Sequence, residues 1–168
     1  HAVRNLDDAA VAGLVRAMEA LLVYLETVCR FRLGAQLFGD TADTVRRLPE
    51  RSEWVASLIV RQSWFLFRLG DYDAGNKLVA EAVHILESLG SRADMGYPLL
   101  FMGANHYGAG NHREALRCFE ASYDVYAAGG DDWGRCGSLN NIGQVLTALG
   151  DYARADAILH EALGIADA

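Results

Sequence analysis

The chain has 168 residues, of which 52% are hydrophobic and 10% aromatic, so it can bury a core and does not have the composition of a disordered segment. Its formal net charge of −7 opposes nucleic-acid binding, because neutralising phosphates requires a basic surface. No apolar run approaches the roughly 18 residues of a membrane span. The cysteines Cys29, Cys118 and Cys136 are odd in number and lack C-x-x-C spacing. This usage indicates a reducing compartment and predicts a cytoplasmic location.

Apolar residues at helical spacing predict eight helices. In chain order, we expect them near 8–28, 31–48, 52–69, 73–89, 94–109, 112–128, 133–149 and 152–167. Three residues that follow a glycine in the turns are expected to cap the next helix through their side chains: Asp71, Asn111 and Asp151.

The start of the fifth helix carries two further signals. Ser91 and Asp94 resemble a capping box, in which the two side chains satisfy free N–H groups at a helix start. Pro98 lies inside the expected helix, where a proline interrupts the hydrogen bonds. It predicts either a helix that begins near Tyr97 or a kink in its first turns.

The turns between helices repeat at a nearly constant distance along the chain. Turns starting at Gly70, Gly110 and Gly150 are 40 residues apart, and a degraded copy starts 41 residues earlier at Cys29. Such a period is typical of a solenoid, in which each unit buries its apolar face only against its neighbours. The second helix of each unit carries a small, a large and a small residue on one stripe: Gly34, Phe38 and Thr41; Gly75, Val79 and Ala82; Ala115, Phe119 and Ser122; Ala155, Leu159 and Ala162.

The first helices carry a matching signal, since Ser63, Gly103 and Gly143 share one register. Small residues in both helices predict that the backbones approach closely there. We therefore predict an all-α fold of about four antiparallel helix pairs in a single array over 1–168, with repeats at 8–48, 52–90, 93–130 and 132–168. Because the chain opens on His1 and ends within a helical pattern, we expect it to be a fragment of a larger protein.

The turn and helix residues resemble the tetratricopeptide repeat. The match is close over Leu139–Ala155, which contains Ile142-Gly143 and the turn Gly150-Asp151-Tyr152, and over Gly110–Ser122. It is weaker in the second copy and poor in the first helix. The resemblance implies a right-handed α-α superhelix. Its period of about 40 residues resembles a long-repeat subgroup that includes kinesin light chain, LGN-type adaptors and sensor regions of bacterial signal-transduction ATPases and transcriptional activators. Fourteen arginines against one lysine favour the bacterial members.

In this family the first helices line a concave groove. Carried onto this sequence, the resemblance implies a partner site formed by Arg16, Trp64, Phe67, Arg68, Tyr97, Leu100, Tyr107, Asn140, Asn141 and Gln144. Aromatic residues and arginine are enriched at binding hot spots. The alternative is that the aromatic residues fill the core between helices.

Asn140 and Asn141 resemble asparagines that hold the backbone of an extended peptide in the long-repeat subgroup, since an amide both donates and accepts hydrogen bonds. The alternative is a capping or inter-repeat bond. The two-carboxylate clamp of chaperone-binding repeats is not expected, because several of its positions carry Tyr97, Leu100, Gly137 and Asn140 and none of these residues is a lysine.

Catalytic chemistry is not expected. The sequence has no phosphate-binding Gly-x-x-x-x-Gly-Lys loop, its five histidines have no metal-ligand spacing, and no nucleophile is paired with a base. We therefore predict no enzyme activity, no cofactor and no metal.

The leading hypothesis is a non-enzymatic module of a bacterial regulatory protein that binds a protein, a peptide or a neighbouring domain in its groove, without nucleic-acid or membrane partners. A second hypothesis is a small-molecule sensor that holds a ligand among Trp64, Tyr97 and Tyr107. A third is self-association through exposed terminal helices, where Ile158, Leu163 and Ile165 form an apolar surface.

Overall fold

The computed structural model describes residues 8–47 and 52–167; in the first helix it describes side chains from residue 17 onward. These ranges form eight α-helices and a short 3₁₀ helix, and each predicted helix is present. The predicted ends at residues 48 and 168 lie outside the described residues. The helices are α1 Asp8–Thr27, α2 Phe31–Arg46, α3 Ser52–Leu69, α4 Tyr72–Ser88, α5 Gly96–Gly108, α6 His112–Gly129, α7 Asp132–Ala148 and α8 Tyr152–Ala166, with the 3₁₀ helix at Arg92–Met95.

Each helix packs mainly on the next one along the chain, and α5 also contacts α3 and α7. We call α1, α3, α5 and α7 the A helices and the others the B helices. The buried apolar residues form two clusters. One joins α1 to α4 and includes Phe101 of α5. The other joins α6 to α8, and residues of α5 such as Leu100 and Tyr107 pack against it. Helix α5 therefore connects the two clusters, as expected for a solenoid whose units contact only their neighbours.

The turns between A and B helices require a left-handed backbone. Gly70, Gly110 and Gly150 adopt φ values of 81°, 79° and 81°, which glycine tolerates because it has no Cβ. In the first turn the equivalent residue is Cys29, with φ 53°, the one non-glycine residue with positive φ in the described ranges. The first turn therefore keeps the geometry of the other three despite a less suitable residue.

We expect Cys29→Gly to stabilise the fold by about 0.5–1 kcal/mol, because it removes the left-handed strain of a residue with a Cβ. Urea unfolding followed by circular dichroism measures the change. Gly110→Ala is the reverse control: no atom lies within 4 Å of its added Cβ, so only the backbone is strained, and stability should fall by about 1 kcal/mol. A Cys29→Gly variant that is less stable than the parent would contradict the explanation.

Two of the three predicted caps form. Asp71 accepts a hydrogen bond from the backbone N–H of Ala74 at 3.3 Å, and Asp151 accepts one from Arg154 at 3.3 Å. Asn111 makes no side-chain cap bond, so that prediction was wrong.

The predicted capping box at Ser91 and Asp94 was also wrong. The segment is a 3₁₀ turn in which the Asp94 N–H bonds to the Ser91 carbonyl, and the Ser91 side chain makes no cap bond. Helix α5 begins at Gly96, so Pro98 lies in its first turn, where a missing N–H leaves no helical bond unmade. Of the two alternatives for Pro98, the later helix start is confirmed.

Helices approach closely where a glycine on one faces a bulky side chain on the next. A Cβ placed on Gly34 would lie 2.5 Å from the ring of Phe65, and one on Gly103 would lie 2.5 Å from the ring of Phe119. Gly143 faces Leu159 in the same way at 2.7 Å. The small-and-large pattern predicted from the sequence therefore corresponds to interlocking contacts both within helix pairs and between them.

The predicted stripe needs one correction, in α2. Thr41 is exposed and its hydroxyl donates to the Leu37 carbonyl at 2.7 Å, while Ala42 is 1% exposed. The buried face of α2 is therefore rotated toward Ala35 and Ala42. The reason is that both are small and apolar, whereas the Thr41 hydroxyl is satisfied by its own helix at the surface.

We expect Gly103→Ala to destabilise the fold by about 1–2 kcal/mol, since Phe119 is 2% exposed and its ring has little room to move. The matched control is Gly137→Ala, within α7, where no atom lies within 4 Å of the added Cβ. That variant should gain about 0.5–1 kcal/mol from helix propensity alone. Thermal unfolding of the two variants beside the parent measures both effects, and equal shifts would rule out the proposed contact.

One interlocking position is polar. Asn105 lies one period after Phe65 and faces Gly75, where a Cβ would be 2.7 Å from its Oδ1. It is fully buried, and its Nδ2 donates to Ser63 Oγ at 3.0 Å. Ser63 Oγ in turn donates to the Gly75 carbonyl at 3.2 Å. Three helices are thereby joined by a buried polar chain, which the apolar pattern did not predict.

Candidate functional site

The A helices α3, α5 and α7 present equivalent positions 40 residues apart along one stripe of each helix. Position by position, the three helices carry Ser57, Tyr97 and Gly137; Val60, Leu100 and Asn140; Trp64, Ala104 and Gln144; Phe67, Tyr107 and Thr147. The stripe is mainly apolar and half-buried on α3 and α5, and polar and exposed on α7. The two ends therefore have different chemistry.

Four side chains of α3 and α5 form a continuous row that we call the aromatic strip: Trp64, Phe67, Tyr97 and Phe101. The ring centroids of Trp64 and Phe67 are 5.4 Å apart and nearly parallel. Trp64 meets Phe101 edge-to-face at 5.3 Å, and Tyr97 lies 4.6 Å from Phe101. The structure thus brings together three residues predicted for the site and adds Phe101. Its position four residues after Tyr97, on the same side of α5, was the signal that could have identified it.

The members of the strip differ in how much surface they expose. Trp64 is half-buried against the first core cluster, with its indole N–H buried. Phe67 packs on Tyr72 of the adjacent turn at 5.7 Å. Tyr97 is 37% exposed, and burial of the rest of its side chain raises the pKa of its hydroxyl. Tyr97 is therefore the member that offers both a ring face and a neutral hydroxyl to a partner.

The cations beside the strip are paired with carboxylates of α1. The guanidinium of Arg68 lies 4.6 Å from the Phe31 ring centroid and 5.7 Å from that of Trp64, and its Nη1 is 2.5 Å from Glu26 Oε1. Arg61, which the sequence reading did not select, lies 3.6 Å from Glu19. The side chain of Arg16, which was predicted to flank the site, lies outside the described side chains. The arginines therefore fix the edge of the strip to α1.

Two further predicted residues on the α5 stripe pack partly against the second core cluster. Leu100 and Tyr107 pack against the second cluster, and the Tyr107 ring is 5.3 Å from His112 of the following turn. This contact repeats that of Phe67 with Tyr72 one period earlier. Both residues are half-buried, so they support the stripe and contribute less surface than Tyr97.

The polar residues of α7 differ in whether their side chains already form a hydrogen bond. Asn141 Nδ2 donates to the Gly137 carbonyl of its own helix at 2.9 Å, whereas the side chains of Asn140 and Gln144 are exposed. We call Asn140 and Gln144 the amide pair. Trp133, which the sequence reading missed, lies four residues before Gly137 on the same stripe and is 82% exposed. Its helical spacing from the amide pair was the available signal.

A cleft of about 320 Å³ opens beside Tyr97, between the first turns of α3, the end of α4 and the start of α5. Its lining residues are Glu53, Ala56, Ser57, Val60, Arg61, Leu86, Asp94, Tyr97 and Pro98. It combines apolar side chains with charged groups. Sequence reasoning did not predict it, because it depends on how three helix ends meet.

The described residues contain no group of three or more His, Cys, Asp or Glu side chains placed to hold a metal ion. Within the same residues, no helix is long and apolar enough to cross a membrane.

The three cysteines differ in environment. Cys29 is exposed, whereas Cys118 and Cys136 are half-buried, and the Cys136 thiol donates to the Ala162 carbonyl at 3.4 Å. Burial, with a smaller contribution from Glu114, raises the pKa of the Cys118 thiol to about 11. The odd number of cysteines thus corresponds to three unpaired thiols.

We expect iodoacetamide at about pH 8 to alkylate Cys29 well before Cys118, because the thiolate is the reactive form and Cys118 holds its proton. A pKa of about 11 instead of 9.0 leaves about a hundredfold less thiolate at that pH. Peptide mass spectrometry of timed samples measures the rates. In guanidinium chloride the two rates should converge, and similar rates in the folded protein would contradict the buried position of Cys118.

Repeated helix pairs, glycine turns at a fixed period and a stripe shared by the A helices define a helical repeat protein. Residues 94–168 match the family model described as Tetratricopeptide repeat. Over these residues, the match confirms the resemblance to the tetratricopeptide repeat that the sequence predicted. Such repeats mediate protein–protein interactions and are typically not catalytic. The assignment to a long-repeat subgroup stays a prediction.

Known proteins that are similar to this chain include one relative in sequence and one in fold. A Tonsoku-like protein from Danio rerio is 26% identical over 113 residues, which make up 67% of this chain and 8% of that protein. The crystal structure of BtubC (BKLC) from P. vanneervenii matches with a TM-score of 0.80 and 15% identity, over 95% of this chain and 65% of BtubC. The latter similarity concerns the fold alone. The chain spans less than two thirds of each of these proteins.

Proposed function

We propose that this chain is a protein-interaction module that binds an extended peptide segment along the stripe of α3, α5 and α7. The observation that carries the proposal is the aromatic strip, in which Tyr97 remains 37% exposed while its neighbours hold it in place. A rigid aromatic ring loses little entropy on binding, which makes it a favourable anchor for a partner.

The amide pair supports an extended partner. Asn140 and Gln144 lie one helical turn apart on α7, and each amide can donate to a peptide carbonyl and accept from a peptide N–H. Asn141 is less suited to this role, because its amide already bonds to Gly137. The sequence suggested either a peptide clasp or a capping or inter-repeat bond for Asn141, whereas its observed bond lies within α7.

Several finer predictions are part of the same proposal. The proposal of a bacterial regulatory parent protein is supported by the arginine-rich composition. Self-association is favoured by exposed apolar side chains on α1, such as Val23 and Tyr24 at 60% and 62%, and by Leu163 on α8 at 60%. A small-molecule sensor is favoured only by the cleft beside Tyr97.

Selection of random peptides of about 12 residues by phage display, with the full chain as bait, tests the proposal. We expect Tyr97→Ala to lower the affinity for the selected peptides by about 5- to 30-fold, which corresponds to the usual cost of about 1–2 kcal/mol for removing an anchor. Replacing both Asn140 and Gln144 by Ala in addition should lower this affinity further. Fluorescence anisotropy measures each affinity, and circular dichroism checks that the variants remain folded.

Tyr152→Ala is the matched control, since Tyr152 is 68% exposed but begins the B helix α8. It should leave the affinity unchanged, and Tyr97→Phe should retain most of it because the ring remains. The proposal is wrong if no peptide is selected, or if Tyr97→Ala binds the selected peptides as tightly as the parent does.

A further inference from the structure

The cleft beside Tyr97 has an apolar floor and a charged opening. Leu86 and Val60 are 5% and 1% exposed, and Ala56 and Pro98 are also buried, so the floor is formed by core side chains. Its volume of about 320 Å³ lies at the lower end of the range of small-ligand pockets, roughly 300–1,000 Å³. The cleft is therefore large enough for one long side chain and too small for a helix or a strand.

The positive charge of Arg61, which lines the cleft, is already balanced by a carboxylate of α1. The Arg61 side chain is 12% exposed; its Nη1 donates to the Ser57 carbonyl at 3.1 Å and to the Ser57 hydroxyl. Its Nη2 lies 3.6 Å from Glu19 Oε1. Arg61 therefore adds little net positive charge for an incoming group.

The carboxylates near the aromatic strip fall into two kinds. Glu19 and Glu26 on α1 are paired with Arg61 and Arg68. Glu53 and Asp94, which line the cleft from α3 and the 3₁₀ helix, are exposed and form no ion pair within the described ranges. Asp94 is also free of the helix-capping role that its sequence position predicted. The opening of the cleft is therefore negatively charged.

We propose that this cleft binds a lysine or arginine side chain of the peptide that occupies the stripe, with the ammonium or guanidinium group between Glu53 and Asp94. The inference rests on the proposed function and adds the chemistry of the partner. The methylene stem of such a side chain covers the apolar floor while its charged end stays near water. The exposed ring of Tyr97 adds a face on which a cation is favoured.

The charge of the whole chain supports a basic partner. A net charge of −7 attracts cationic segments over long range and repels acidic ones. On α7, the stripe positions Gly137, Asn140 and Gln144 carry no charge, so they do not compete for the cation. The cleft is thus the point on the stripe where a positive charge in the partner has a defined position.

The test uses peptides selected on the full chain, each synthesised with a fluorescent label. In a matched probe every arginine is replaced by citrulline, and every lysine by norleucine, which keeps the length but removes the charge. We expect the selected peptides to carry lysine or arginine, and the neutral probes to bind about tenfold more weakly at low salt. Raising the salt from about 50 to about 300 mM should reduce this difference.

The double variant Glu53→Gln with Asp94→Asn should bind the charged probes about tenfold more weakly than the parent does. Its affinities for the charged and the neutral probes should therefore be equal. Its control is Asp40→Asn with Glu120→Gln, which changes the net charge by the same amount at exposed positions on the B helices α2 and α6. This control should preserve the difference between the probes, because long-range attraction alone does not depend on the cleft.

The outcomes separate the two proposals. If the selected peptides depend on Tyr97 but carry no lysine or arginine, the inference about the cleft is overturned and the proposed function stands. It is equally overturned if the double variant keeps the preference for charged probes, since the cation then binds elsewhere. If no peptide is selected, both proposals fail.

Discussion

The close approach of neighbouring helices at glycine is the constraint on which the rest of this structure depends. Gly34 admits the ring of Phe65, and Gly103 admits the ring of Phe119, at distances that a methyl group would already occupy. Since each helix pair buries its apolar surface only against its neighbours, these contacts set how far apart and at what angle successive pairs lie. The spacing between the A helices, and hence the shape of the stripe, follows from them.

Helix α5 contains both a residue that fixes its position between its neighbours and a residue of the proposed site. Its residue Asn105 replaces a bulky apolar side chain with a buried amide, and the resulting hydrogen bonds tie it to Ser63 and Gly75 in the preceding pair. Because the Asn105 amide is fully buried, a shift of α5 would break the bond from its Nδ2 to Ser63 and leave that donor unpaired. The amide therefore fixes α5 against α3 and α4. Phe101 lies one turn before Asn105 and is buried, and its ring packs on Tyr97, the residue of the aromatic strip that a partner would contact in the proposed function.

In the proposed function, the two ends of the stripe make different kinds of contact with the partner. Aromatic side chains on α3 and α5 supply anchoring area, whereas Asn140 and Gln144 on α7 supply hydrogen bonds that read a backbone. The arginines near the strip are bound to α1 carboxylates, so they organise the edge of the stripe and do not attract an acidic partner. The carboxylates that remain at the cleft, Glu53 and Asp94, favour the opposite charge. In the proposed function, the distribution of ion pairs thus favours a positively charged partner.

The sequence by itself determined the helices, their turns and the repeat, because these depend on local spacing: a glycine before each turn, and small and large residues at helical intervals. It also predicted Trp64, Phe67 and Tyr97 for the proposed site, and these side chains lie in one row. It did not identify Phe101, Trp133, Asn105 or the cleft. Whether Trp64 lies in the core or at the surface, and which carboxylates find an arginine, depends on how helices from different pairs meet. Only the tertiary structure decided this, because contacts between residues about 40 positions apart are set by packing and not by the local pattern.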